Sequence, residues 1–307
     1  MSGARIAVAL FGPEGRGSFN ESGWQGVLRA RAAGHEVQAH WVAPLGGAER
    51  AEALRAICAR GVDLLVAHGG QGDVPVSLMH ADFPDTRFAI TQGGFLAPNV
   101  ASYEVLQEQS AFLAGVLAGL ASRTGVVAHM SGEKVRPGLK GRAAFAHGVA
   151  ASGTGCRLLT TFCGQQHDPE LAYRVVAAQQ RAGADLVFAM IDGGRDGVSQ
   201  ACRDLPIRQI GNVVDWVARD PQVFYASAWA DSGRCIAEAI DDFAAGRFEP
   251  GTTRTHGVEH PEWVRLICAP DAPAALQEAV ATWAARLARG EWVPREAYDG
   301  PEFAWEA

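Results

Sequence analysis

Short, nearly uninterrupted apolar runs alternate with amphipathic, alanine-rich segments along almost the whole chain, and that alternation leaves few ways to fold. Ile6–Phe11, Val37–Val42, Asp63–Ala67 and Arg87–Thr91 read as strands. Between and after them lie helical segments: Trp24–Ala33 stopped by Gly34, Ala48–Arg60 stopped by Gly61, a short helix over Ser77–Asp82, and a long one over Gln107–Ser122. The pattern then repeats. Gly125–His129, Arg157–Thr161, Leu186–Met190, Arg208–Gly211 and Val223–Ala226 are strands. Lys140–Ala151, a segment capped near Asp168-Pro169 and ending at Gly183, and Ala272–Arg289 are helices. Strands apolar on both faces belong to parallel sheets covered by helices on each side, so the expected class is α/β and doubly wound. With 307 residues the chain can build two such lobes, and no linker rich in Pro, Gly or Ser separates them.

The net charge of -7, with no Lys/Arg cluster, argues against nucleic acid as a partner. No apolar run is long enough to cross a membrane, so direct membrane insertion is not expected. No apolar leader precedes the first strand, so the chain as written is expected to be cytoplasmic; the alternative is a periplasmic protein whose leader has been removed. Cys58, Cys156, Cys163, Cys202, Cys235 and Cys268 form no C-x-x-C pair, and free thiols are expected, with Cys58, Cys202 and Cys235 buried in helical patterns. Asp241-Asp242 reads as a solvated helix face, and His35 and His40 are assigned no role.

The ends of the predicted strands carry more chemistry than connections need. They are Phe11/Gly12, His68-Gly69-Gly70, Thr91-Gln92-Gly93-Gly94, His129-Met130-Ser131, Asp192-Gly193-Gly194, Gly211-Asn212 with Asp215, and Ser227 with Trp229. The first strand runs into a turn and helix bearing Arg16, Ser18, Phe19, Asn20 and Trp24; Gln166 lies before a helix start in the second half. Glycines let backbone approach a ligand, and amides, hydroxyls and carboxylates give directional hydrogen bonds. Recurrence in both halves describes a ligand cleft between two α/β lobes. Trp24 and Trp229 are expected to stack on the ligand, and Arg16 to favour an anionic or strongly accepting one.

Gly12-Pro13-Glu14-Gly15-Arg16-Gly17 after a strand offers a different reading, a nucleotide-dependent α/β enzyme. Its spacing is G-x-x-G-x-G, and the next strand ends in Trp41-Val42-Ala43-Pro44 without the acidic residue that would hold a ribose. No phosphate loop, nucleophile turn or catalytic triad can be assembled, which favours binding over turnover; neither a cofactor nor a metal is expected.

Ser18-Phe19-Asn20-Glu21-Ser22-Gly23-Trp24-Gln25-Gly26 resembles the S-F-N-x-S-aromatic-x-G motif of the basic membrane protein family, the substrate-binding proteins of ABC transporters that include purine nucleoside receptors. The likeness continues through Phe83-Pro84-Asp85-Thr86-Arg87-Phe88-Ala89-Ile90, Asn99–Ser102, Ser110–Gly115, Asp168-Pro169, Gly193-Gly194 with Gly197, Ile210-Gly211, Gly246-Arg247-Phe248 with Pro250-Gly251, and Gly290–Pro294. It implies the type I periplasmic-binding fold, with two lobes joined by a hinge of three crossovers. Residues 1–122 and 228–256 would form the N-terminal lobe, and 123–227 and 257–307 the C-terminal one. It also implies a purine or nucleoside-like ligand, for uptake through an ABC permease or for intracellular sensing. By motif position Trp24 takes an aromatic place, Asn20 a polar one and Asp215 an acidic one. The departures are Gly15-Arg16-Gly17 where the family has Asn-Asp, Gln92 where an acid is common, Gln165-Gln166-His167 where an aromatic is common, and Ala228-Trp229-Ala230 in place of a lysine. A carboxylate is lost and a cation gained.

Overall fold

The computed structural model describes residues 4–14, 18–43 and 46–306. Arg16 falls outside this set, as do Gly15 and Gly17 of the Gly12–Gly17 turn, so both expectations placed there lie outside the described residues.

Two compact units divide the chain: Met1–Val105 with Asp231–Thr255, and Leu106–Ala230 with His256–Ala307. The chain therefore passes from one to the other three times. In the first unit β1 (Ile6–Phe11), β2 (Val37–Val42), β3 (Leu64–His68), β4 (Arg87–Thr91), β5 (Val100–Val105) and β11 (Thr253–His256) form a sheet in the order β11-β5-β4-β3-β1-β2. In the second, β6 (Val126–Ser131), β7 (Arg157–Phe162), β8 (Leu186–Met190), β9 (Arg208–Val213), β10 (Phe224–Ala230) and β12 (Val264–Cys268) form the order β12-β10-β9-β8-β6-β7. The two orders are the same pattern used twice. β1, β3 and β8 are buried at every position, as their unbroken apolar sequences require when helices cover both faces.

Helices α1 (Ser18–Ala32), α2 (Gly47–Cys58), α3 (Asp73–Met79) and α8 (Ser232–Ala244) belong to the first unit. The second holds α4 (Gln107–Ala121), α5 (Arg136–Ala151), α6 (Pro169–Arg181), α7 (Arg195–Asp204) and α9 (Ala274–Ala288). In each unit the helix that enters after a crossing packs on the helix following the sheet's first strand, and both pairs meet at glycines. A Cβ on Gly26 would lie 2.2 Å from the carbonyl oxygen of Gly233; one on Gly148 would lie 2.1 Å from that of Phe112. Asp231, at the head of α8, fixes the first pair, accepting from Ser22 Oγ at 3.2 Å and from Arg29 at 3.0 and 2.7 Å.

This packing corrects the expected lobe boundary. The sequence reading puts α4 in the N-terminal lobe, but it packs on α5, β10 and β12 and lies in the second unit, as does Ala228–Ala230 of β10. α1 starts six residues before Trp24, because Gly23 lets the helix lie against Leu10 and His68, and Gly26 lets it meet α8. Low helix propensity there is overridden by close packing. The short helix forms earlier than expected, at Asp73–Met79, followed by a 3-10 turn at His80–Asp82. Asp242 is also corrected: it is buried, accepting from Tyr103 Oη at 3.2 Å and Arg247 Nε at 3.1 Å, whereas Asp241 remains exposed and meets His35 Nε2 at 2.8 Å. All six cysteines are free; Cys58 and Cys235 are buried and Cys202 is half-buried. Among the described residues no helix is long and apolar enough to cross a membrane.

Candidate functional site

At the C-terminal strand ends of the first unit, polar atoms form a closed relay. His68, the last residue of β3, is fully buried, and its Nε2 lies 3.0 Å from the carbonyl oxygen of Phe19. A carbonyl only accepts, so Nε2 carries the proton and Nδ1 accepts from Thr91 Oγ1 at 2.9 Å. Thr91 Oγ1 in turn accepts the Gly69 N–H at 3.0 Å. Burial pulls the His68 pKa down from 6.5 to about 4, against the opposing Phe19 bond and Asp231 charge, so the ring is neutral at neutral pH. On its face lies the half-buried ring of Phe19, with centroids 4.3 Å apart and planes 20° from parallel. Gly69 has φ 109°, and a Cβ there would lie 2.9 Å from Phe19 Cε1. The strand end is thus built to seat the Phe19 ring.

Other expected residues are used internally. The Phe11 side chain belongs to the core, while its carbonyl accepts from Asn20 Nδ2 at 2.8 Å. Asn20 Oδ1 is buried without a partner. Gln92, at φ 57°, clamps the backbone of Val105 from both sides: Nε2 donates to its carbonyl at 2.9 Å and Oε1 accepts its N–H at 2.6 Å. The Gly93 carbonyl accepts from Ser102 Oγ at 2.7 Å. Trp24 sits in the second turn of α1, tilted against Trp41 of β2 at 6.3 Å with Arg31 over its ring at 5.3 Å. Trp24 thus lies beside Trp41 near the C-terminal end of β2, while Phe19 lies on His68 at the end of β3. Ser18 opens α1.

The second unit's strand ends are organised around a charge. Arg195 opens α7, is almost wholly buried, and donates from Nη2 to Ala189 O at 3.0 Å, Ile191 O at 2.8 Å and Asn212 Oδ1. Nη1 reaches Gln209 Oε1 at 3.4 Å, and the guanidinium lies 4.8 Å from the Trp216 ring centre. A cation at a helix N-terminus opposes the helix dipole. Burial lowers the Arg195 pKa to about 10, with Asp192 and Asp196 opposing, so the group keeps its charge at neutral pH. Arg195 ties the end of β8 to β9, where Val213 holds φ 71°, costly for a β-branched residue at about 1–3 kcal/mol.

Gln166 lies over Gly132, where a Cβ would come within 2.5 Å of its Cδ. Its Oε1 accepts the Asp192 N–H at 3.2 Å, and its backbone oxygen accepts that of Gly194 at 2.9 Å. The Gly193 N–H reaches His167 Nδ1 at 3.4 Å, and Asp192 is buried. Asp215 caps its own turn, accepting from Ala218 N at 3.1 Å and Ser227 Oγ at 3.3 Å. Trp229 lies under Arg265 at 4.8 Å and donates from Nε1 to Glu262 O at 3.4 Å. Buried His129 places a hydroxyl at each ring nitrogen, Thr160 at 2.8 Å and Ser131 at 3.0 Å, and burial draws its pKa down to about 3.

The structure thus gathers Phe19, Asn20, His68, Gly69, Gln92 and Gly93 at one strand-end face and Gln166, Asp192, Gly193, Gly194 and Asn212 at another, and turns Phe11 inward. Sequence reasoning missed Arg195 and Trp216. The signal for Arg195 was a cation directly after Gly193-Gly194, where a helix starts and a carboxylate would be favoured. Among the described residues, no three His, Cys, Asp or Glu side chains converge as a metal site.

A model of the Bmp family, described as ABC transporter substrate-binding protein PnrA-like, matches residues 4–281. The transcriptional activator protein med of Bacillus subtilis (strain 168) is 28% identical over 192 residues, 62% of this chain and 60% of that protein, so the match spans less than two thirds of its length. A solute-binding protein of an ABC transporter system from Aeropyrum pernix K1 superposes with a TM-score of 0.81 at 21% identity, covering 96% of this chain and 95% of that one. A transcriptional activator of the comK gene from Bacillus halodurans gives 0.75 at 18% identity, covering 94% of this chain and 100% of that one. At these identities the structural likenesses speak for the fold.

Proposed function

Because the chain belongs to the Bmp family of ABC-transporter substrate-binding proteins, we propose that it binds a small planar polar solute, of the purine or nucleoside class, and leaves it chemically unchanged. The observation that carries the planar class is Phe19 held parallel on His68 at a strand end. A neutral imidazole behind the ring makes a rigid, uncharged platform on which a base can stack. The relay through Thr91 and Gly69 uses both His68 nitrogens, so His68 is placed to support Phe19 rather than to transfer protons. Calorimetric titration with adenine, adenosine, guanosine and a simple sugar tests the class. Purine binding with recovery of intact ligand is expected; binding of the sugar alone, or conversion of any ligand, contradicts the reading.

A second reading, solute sensing in gene control, is supported by the match to med. It shares the binding step and differs in partner and compartment. Uptake needs the protein outside the cytoplasm, against a permease in the membrane, whereas sensing needs it inside with the transcription machinery. Fractionation of the native cells, with crosslinking of the ligand-loaded protein, separates the two.

A further inference from the structure

Asn212 and Gln166 place side-chain amides at the strand ends of the second unit, and the protein orients both in the same sense. Asn212 meets Nη2 of Arg195, and a guanidinium has only donors, so the atom facing it is the carbonyl oxygen. Gln166 meets the N–H of Asp192 at 3.2 Å, which likewise selects its oxygen. The nitrogens, Asn212 Nδ2 and Gln166 Nε2, have no partner among the described residues, and neither is a buried orphan, so both reach solvent as donors. The anchors are neighbours: Asp192 N–H holds Gln166, and the adjacent Ile191 carbonyl holds Arg195 at 2.8 Å. Asp192 itself is buried and engaged within the protein.

The first unit sets its amides otherwise. Gln92 uses both atoms on Val105, and Asn20 donates through Nδ2 to Phe11, leaving its oxygen over. The donor pair Asn212 and Gln166 therefore contrasts with Gln92 and Asn20 of the first unit. The positive end of α7 and the buried guanidinium reinforce it, since both favour electron-rich atoms nearby.

We propose that the second unit reads hydrogen-bond acceptor atoms of the solute, ring nitrogens or carbonyl oxygens, through Asn212 Nδ2 and Gln166 Nε2, with Arg195 as the positioning residue that fixes Asn212. This rests on the solute-binding reading above and adds a polarity to it. A solute presenting only donors there meets two N–H groups and is rejected, because unpaired polar groups brought together out of water are costly.

Asn212→Asp tests both halves. It keeps the oxygen facing Arg195, adds an opposite charge, and replaces the outward donor by an acceptor. The melting temperature should stay level or rise, while affinity for adenosine falls about tenfold or more, the scale for an unpaired polar group. The 1-deaza, 3-deaza and 7-deaza analogues of adenosine each lack one ring acceptor. The native protein should discriminate against at least one of them, and Arg195→Met and Asn212→Asp should both lose that discrimination. A purely structural role for Arg195 would weaken all four ligands alike, which overturns the positioning role. Unchanged affinities in Asn212→Asp overturn the donor role. A melting temperature several degrees lower in Asn212→Asp overturns the orientation whether or not any nucleoside binds. A native protein that binds none of the four overturns the nucleoside class; the orientation is then decided by that melting temperature alone.

Discussion

The two units repeat one strand order but end their third and fourth strands in different chemistry. In both, a non-glycine residue of positive φ stands at the end of the fourth strand: Gln92 just after β4 in the first, and Val213, the last of β9, in the second. In both, paired helices touch through glycines. At the ends of β3 and β4 the first unit places neutral groups, His68, Thr91 and the Gln92 amide. At the ends of β8 and β9 the second places a buried guanidinium. Topology is set by the apolar strands and glycine contacts, which the units share. Recognition is set by a few side chains after the strands, and these are free to diverge without disturbing the sheets.

Acid should expose the largest difference. Both buried histidines have folded pKa values below the ordinary 6.5, about 4 for His68 and about 3 for His129. As pH falls below 6.5 the unfolded chain takes up protons that the folded one refuses, so stability is lost, down to about 4 in the first unit and about 3 in the second. The loss is on the order of 3 kcal/mol from His68 and somewhat more from His129. Urea unfolding between pH 7.5 and 4 measures it. Trp24 and Trp41 report on the first unit and the other six tryptophans on the second, so the two losses are separable by fluorescence. A flat profile in either unit would mean that its histidine ring is hydrated or charged in the native state.

The glycine contacts should be nearly as sensitive and should act on one unit at a time. Gly148→Ala places a methyl against the Phe112 carbonyl, and Gly233→Ala places one 1.9 Å from that of Ser22. Each should cost about 1–3 kcal/mol, since backbone cannot yield as a side chain can. Denaturation should show the loss in the second unit for Gly148→Ala and in the first for Gly233→Ala. Equal effects on both transitions would show that the units unfold together.

Phe19→Ala should weaken purine binding by about 0.5–1.5 kcal/mol beyond the lost contact area. Calorimetry measures it directly, and an unchanged affinity would remove the Phe19–His68 platform from the site. The smallest effect is expected at Trp24. Trp24→Phe keeps an aromatic ring against Trp41, and affinity should stay within about twofold, an energy of about 0.4 kcal/mol. A larger loss would return Trp24 to the ligand and restore the stacking first expected of it.

Much of the fold was legible because strands buried on both faces are apolar throughout: IAVALF and LVFAM can hardly be anything else. Elements that rely on distant partners were not. β5 carries Ser102, Tyr103 and Glu104 inside the sheet, paired across the unit, so its pattern looks like a loop. α7 reads as polar because half of it faces water, and the short edge strands β11 and β12 are only partly buried. Glycines and polar residues read as following strands do sit at strand ends, as His68-Gly69 and Asp192-Gly193-Gly194 do. Their roles were not readable, since whether an amide faces out or clamps its own backbone depends on a partner far along the chain. Gln92 and Asn212 look alike in sequence and are used in opposite ways.

On the proposed function, this chain holds a planar solute and does not transform it. Mass spectrometry of the purified protein, first intact under gentle conditions and then denatured, measures this most directly after incubation with a mixture of purine bases and nucleosides. One added ligand per chain is expected, released on denaturation with its mass unchanged. A bare chain after that incubation, or a released product differing from every compound supplied, would contradict it.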